Sequence, residues 1–176
     1  MRLLIISSSL SAYSRSRSMA GYCKEQLDDM DTETELIDLI DYPLPLCDGS
    51  RKTIDDPMTV QVKGKIHKAE GILIATPVYN FNINAALKNL IELTGRAWTD
   101  KVVGFICSAG GGRSYMSVMG LANSLMLDFR CIIIPRFVYF NESSGNKNLE
   151  LDDTTKHRLD KLNKELIRFV KGLKRN

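Results

Sequence analysis

Residues 2–27, RLLIISSSLSAYSRSRSMAGYCKEQL, join two patterns that belong to different kinds of secondary structure. RLLIIS (2–7) is a short, continuous apolar run of strand length, the pattern of a strand covered on both faces of a parallel sheet. From Met19 onward the period changes, and Met19, Ala20, Cys23, Leu27 and Met30 are spaced to share one face of a helix. Between them lies a loop dominated by serine. A loop leading from a strand into a helix presents free backbone N–H groups and the positive end of the helix dipole, a setting that favours an anion such as phosphate.

The same alternation continues along the chain. GILIATP (71–77), KVVGFICS (101–108) and CIIIPRFVYF (131–140) resemble the first apolar run, and TELIDLI (34–40), interrupted by Asp38, reads as an edge or near-edge strand. Asp56 followed by Pro57 predicts an N-cap with proline at the first helical position, and Val62, Ile66 and Ala69 form the stripe beyond it. Leu87, Leu90, Ile91 and Thr94 make another stripe, and Met116, Met119, Ala122 and Met126 are expected to make the next. A closing amphipathic helix is predicted from Asp152 or Asp153 to about Gly172, with Leu159, Leu162, Leu166, Phe169 and Val170 on its apolar side.

Five strands alternating with five helices, without repeats or low-complexity linkers, predict one α/β domain over residues 1–176, an open sheet wound on both faces. In such sheets ligands sit beyond the carboxyl ends of the strands. The site is therefore expected in the loops 8–16, 76–84 and 108–114 and in the stretch from Tyr139 to Asn148.

Composition narrows the class. A chain of 176 residues, 44% apolar and 26% charged, is large enough to bury a core without covalent staples. No run approaches the roughly 20 apolar residues of a membrane helix, and the N-terminus lacks the pattern of a cleaved leader, so a cytoplasmic location away from membranes is expected. Cys23, Cys47, Cys107 and Cys131 are widely spaced, with no Cys-x-x-Cys pair and no histidine cluster, which argues for reduced thiols and against a metal site. A net charge of +3, much of it in the terminal KGLKRN, gives no nucleic-acid footprint.

The first loop is defined as much by what it lacks. No glycine occurs between Met1 and Ala20, so the G-x-G-x-x-G dinucleotide fingerprint is absent after the first strand. The cluster AGGGRSY offers Arg113 where a Walker loop needs Lys followed by Ser or Thr. What remains is the terminal phosphate of a mononucleotide, held by Ser9, Ser14, Ser16 and the surrounding amides with Arg15 or Arg17 near. Serines also cap helices and fill turns, but so many at the end of the first strand favour phosphate. His67 and His157 fall on predicted helices outside these loops, and no general acid or base is assigned.

These residues resemble a known family, the NAD(P)H-dependent FMN reductases of flavodoxin-like fold, which includes azoreductases, quinone reductases and chromate reductases. SSLSAYSRS (8–16) is similar to the family's G-S-L-R-x-x-S-x-N, keeping Ser9, Leu10 and Ser14, with Ser8 in place of glycine, Ser11 in place of arginine and Ser16 where Asn is common. TPVYNFNINAALKNLIE (76–92) is similar to T-P-E-Y-N-x-S-I-P-G-x-L-K-N, with Val78 for Glu and Asn84 where proline is customary. IDLIDYPLPLCD (37–48) and KVVGFICSAGGGRS (101–114) extend the likeness to nearly the whole chain.

The resemblance implies a five-stranded parallel sheet of order 2-1-3-4-5 and FMN as cofactor, with NADPH or NADH as co-substrate. It implies that Ser9, Ser11, Ser14, Arg15 and Ser16 surround the FMN phosphate. Pro77, Val78, Tyr79, Asn80 and Phe81 would line the ring and ribityl chain, and Ser108, Ala109, Gly110 and Gly111 would flank the pyrimidine edge. It further implies a homodimer or homotetramer and a ping-pong cycle that passes electrons to a flavin, quinone, azo compound or similar small acceptor. The alternative reading is a non-enzymatic electron carrier of flavodoxin type, although such carriers are usually strongly acidic. A phosphorylated receiver domain shares the topology but needs carboxylates where this chain has serines and TPVYN.

Overall fold

A computed structural model describes residues 1–141 and 149–173. The remainder of the expected Tyr139–Asn148 loop and the last three residues of the basic tail lie outside the described residues. In chain order the elements are β1 (Arg2–Ser7), α1 (Arg15–Asp28), β2 (Glu33–Asp38), α2 (Arg51–Ile54), α3 (Pro57–Lys68), β3 (Gly71–Tyr79), β4 (Asn82–Ile83) and α4 (Ala85–Thr94), followed by β5 (Val102–Ala109), α5 (Met119–Phe129), β6 (Ile132–Ile133), β7 (Val138–Asn141) and α6 (Asp153–Leu173). The sheet runs β2-β1-β3-β5-β6, with β7 also pairing β5, and every pair in it is parallel. β4 is a short antiparallel return against the end of β3.

Alternating side chains of the central strands face two cores, as the period of a strand requires. Leu4, Ile6, Ile72, Ile74, Val103 and Phe105 pack with Val62, Ile66, Leu87, Leu90 and Leu125 from α3, α4 and α5. Leu3, Ile5, Leu73 and Ile106 pack on the opposite face with Met19, Cys23 and Leu27 of α1 and with Leu159, Leu162, Leu166 and Val170 of α6. Each of these aliphatic side chains of α6 contributes about 1.5–3 kcal/mol by leaving water. The helix lies close over the sheet, since a Cβ on Gly71 would meet Val170 at 2.8 Å and Leu166 at 2.9 Å.

Two expectations need correction. The fifth strand is not continuous over 131–140, because Pro135 has no N–H for the ladder and the chain leaves the sheet between Ile133 and Val138. The helix after β5 does not present Met116 and Met126 to the core: both are exposed, and the buried face is Leu121, Ala122, Leu125 and Phe129. A 3₁₀ turn at Gly112–Ser114 and further turns delay the helix to Met119, which rotates the stripe. The short α2 and β4 also lie outside the expected alternation of five strands and five helices. Asp56 caps α3 by accepting from the Met58 and Thr59 N–H groups, and Trp98, fully buried after α4, donates its indole N–H to Thr94 at 2.8 Å.

Candidate active site

Register brings three strand-end loops into line. Ser7 on β1 stands opposite Ala75 on β3, and Pro77 on β3 opposite Ser108 on β5. Beyond these ends lies a cleft of about 230 Å³. Ser9, Ser11, Tyr13, Ser14 and Arg15 form one wall, Pro77, Val78 and Tyr79 the second, and Ser108, Ala109 and Gly110 the third.

The first wall is ordered by its own hydrogen bonds. Ser14 is the N-cap of α1, accepting from the Arg17 N–H at 3.2 Å, and its hydroxyl meets that of Ser16 at 3.0 Å. Ser16 is fully enclosed, so it backs Ser14 and does not face the cleft. The Ser11 N–H donates to the Ser9 hydroxyl at 3.3 Å, and the Ser11 hydroxyl donates to the Tyr13 carbonyl at 2.9 Å.

The two arginines have separated. Arg17 turns away from the cleft: it pairs with Asp38 and donates to the carbonyls of Ser9 at 2.8 Å, Ser11 at 2.6 Å and Ala12 at 3.3 Å. Because C=O and the next N–H point oppositely across a trans peptide, this wrap turns the N–H groups of Leu10, Ala12 and Tyr13 to the other side of the loop. Arg15, the first residue of α1, is buried, lines the cleft and stands over the Phe140 ring at 5.1 Å.

The second wall ends in a tight hairpin. Tyr79 pairs with Asn82, and the two residues between, Asn80 and Phe81, have φ of 51° and 60°. Two successive left-handed residues make a type I′ turn, which Asn accommodates readily and Phe does not. Phe81 holds this conformation while 67% exposed, and Tyr79 is 54% exposed, so neither is a core aromatic. Asn80, Phe81 and Gly111 adjoin lining residues without forming the wall themselves.

The third wall is open. A Cβ on Gly110 or Gly111 would meet no atom within 4 Å, and neither residue has a positive φ, so the fold itself does not require glycine there. The Tyr139 hydroxyl donates to the Gly111 carbonyl and steadies the loop from below. Cys107, one residue before this loop, is buried, and burial pushes its thiol up to about 12. His67 and His157 are exposed on α3 and α6, away from the cleft.

A phosphate monoester carrying close to two negative charges needs converging donors at one end of such a site, and a flat heterocycle needs room at the other. The donor set of hydroxyls, a guanidinium and a helix N-terminus fits the first demand, and the open glycine positions fit the second. Among known families, the model described as NADPH-dependent FMN reductase matches residues 1–145. The chain belongs to that family.

Membership makes this protein an oxidoreductase that works with FMN and a reduced nicotinamide. Among similar curated proteins, an NAD(P)H-dependent FAD/FMN reductase of Geobacillus thermodenitrificans is 29% identical over 146 residues, 82% of this chain and 79% of the relative. An NADPH:quinone oxidoreductase of Arabidopsis thaliana is 31% identical over 149 residues, covering 78% of this chain and 74% of the relative. The solved NADH:FMN oxidoreductase EMOB, in its apo form, superposes with a TM-score of 0.77 at 18% identity, covering 97% of this chain and 89% of that one, which supports the fold.

Several residues escape sequence reading in this reductase. Tyr13, 85% exposed on the first wall, sits among small polar residues with no periodic signal. The structural use of Arg17 depends on Asp38, which the sequence shows only as a flaw in the second strand. Asn84, where the family pattern has proline, is buried and makes contacts described below.

Proposed function

We propose that this reductase holds FMN in the cleft at the carboxyl ends of β1, β3 and β5, with the phosphate at the first loop, and transfers electrons from NADPH or NADH to a small acceptor. The observation that carries the reading is the convergence of the serine loop, the Pro77–Phe81 turn and the glycine loop on one cleft. Ser9, Ser11, Ser14 and Arg15 would hold the phosphate, and Ser16 would fix the Ser14 hydroxyl from behind. Pro77 to Phe81 would orient the ring, while Ser108 to Gly111 would bring backbone donors to its pyrimidine edge because no Cβ intervenes at 110 and 111.

When bound, FMN supplies the two-electron chemistry, accepting a hydride from the nicotinamide and passing electrons onward. The chain need only bind, orient and polarise, so no side chain is assigned proton transfer. Tyr79 and Phe81, exposed beside the cleft, would guide nicotinamide and acceptor to the same ring face in turn, a ping-pong cycle. Free flavin, quinones and azo compounds are the acceptor classes that this reading admits. A homodimer or homotetramer in the cytoplasm completes it. Among the described residues no helix is long and apolar enough to cross a membrane.

Anaerobic stopped-flow mixing of the FMN-loaded protein with NADPH and with NADH tests the reading. Rapid bleaching of the flavin band by at least one nicotinamide, followed by recovery on adding a quinone, is expected. Absence of bleaching with both would remove the reductase and leave the carrier.

A further inference from the structure

We propose that Ser8 and Asn84 form a clasp that fixes the spacing between the two halves of the flavin site, which makes Asn84 a positioning residue for the cofactor. The proposal rests on the placement of FMN in the cleft. Neither residue lines that cleft. Ser8 is wholly enclosed and Asn84 is 5% exposed.

The Ser8 hydroxyl donates to Asn84 Oδ1 at 2.9 Å, and the Asn84 amide Nδ2–H donates back to the Ser8 carbonyl at 2.6 Å. Asn84 Oδ1 also lies 3.3 Å from the Thr76 hydroxyl and accepts the Leu87 N–H at 3.4 Å as the cap of α4. One side-chain amide therefore ties the loop after β1 to the end of β3 and the start of α4. Ser9, on the phosphate wall, is the next residue after Ser8, and Pro77, on the ring wall, is the next after Thr76.

The two residues are also paired departures from the family pattern. Glycine, customary at position 8, would keep the Asn84 amide bond to the backbone carbonyl and lose only the hydroxyl's bond, whereas proline, customary at position 84, would lose both. Bonds buried in such a low-dielectric setting are strong, and removing the Asn84 amide breaks both, whereas removing the Ser8 hydroxyl, which also lies 3.3 Å from the Ala75 carbonyl, breaks one.

A ligand that touches both loops binds tightly only if their separation matches its length, because the second contact acts as an intramolecular event. FMN would engage both loops. Riboflavin, which lacks the phosphate, would engage the ring wall alone. Loosening the clasp should therefore lower FMN affinity selectively, whereas general damage to the fold would weaken both ligands together.

The experiment titrates full-length apoprotein with FMN and with riboflavin by flavin fluorescence, in wild type, Asn84→Ser, Ser8→Ala and the double variant, alongside thermal melts. Serine at 84 preserves a helix cap but is too short to reach Ser8. Asn84→Ser is expected to lower the preference for FMN over riboflavin about tenfold, Ser8→Ala about threefold, and the double variant no further than Asn84→Ser. Equal loss for both ligands, an unchanged preference in Asn84→Ser, or single effects that multiply in the double variant would each overturn the clasp while leaving the cofactor site standing. A wild type that binds no FMN would overturn both. Should Asn84→Ser fail to fold, the Ser8→Ala preference decides alone.

Discussion

The loop after β1 and the loop after β5 face each other across one cleft and are built on opposite lines. The first is crowded with bonds: its carbonyls are wrapped by Arg17, its hydroxyls engage one another, and Ser14 caps the following helix. The second offers two glycines with nothing near where their Cβ atoms would be. An anion's place demands donors fixed before the ligand arrives, so that their ordering does not subtract from binding. The edge of a flat ring demands clearance instead, and glycine supplies it without constraining the backbone.

Substitutions that respect each loop's fold but alter its chemistry should break this contrast most sharply. Ser14→Asp keeps a good N-cap yet sets a carboxylate beside the phosphate. FMN affinity should fall on the order of 100-fold, with riboflavin affinity and melting temperature nearly unchanged. Equal weakening of both ligands in titration would move the phosphate away from this loop.

Arg17→Ala attacks the order of the first loop. It releases three carbonyls and leaves Asp38, whose side chain is only 12% exposed, without its cation. Stability in urea should drop by about 2 kcal/mol, and FMN affinity by about tenfold through loss of preorganisation.

On the open side the expectation reverses. Gly110→Val should leave stability within about 0.5 kcal/mol of wild type while weakening FMN and riboflavin alike, because it fills space that the fold does not use. A large stability loss would show that the loop is packed.

The smallest effect sharpens the comparison on the remaining wall. Phe81→Gly relieves a left-handed phenylalanine and should raise stability by about 1 kcal/mol, with flavin affinity falling a few-fold, as measured by paired melts and titrations. Strain held at a functional turn is the link being tested.

Much of this arrangement was legible in the sequence, for physical reasons. Strands covered on both faces must be apolar throughout, so β1, β3 and β5 stood out, and the site followed from their carboxyl ends. Where a proline or a delayed helix start breaks the period, pattern misleads: Pro135 divides the last strand, and the glycine-rich turns before Met119 rotate α5 away from Met116 and Met126. Side-chain partners across the fold were not legible. That Arg17 binds its own loop and Asp38 and that Ser8 meets Asn84 depend on distances between residues up to 76 positions apart, which local spacing does not encode.

A crystal structure of the FMN complex tests the central claim most directly. The phosphate is expected within hydrogen-bonding distance of the Ser14 hydroxyl and the Arg15 guanidinium, with the ring between Pro77–Tyr79 and Gly110. A phosphate bound at the glycine loop, or a ring outside this cleft, would contradict it.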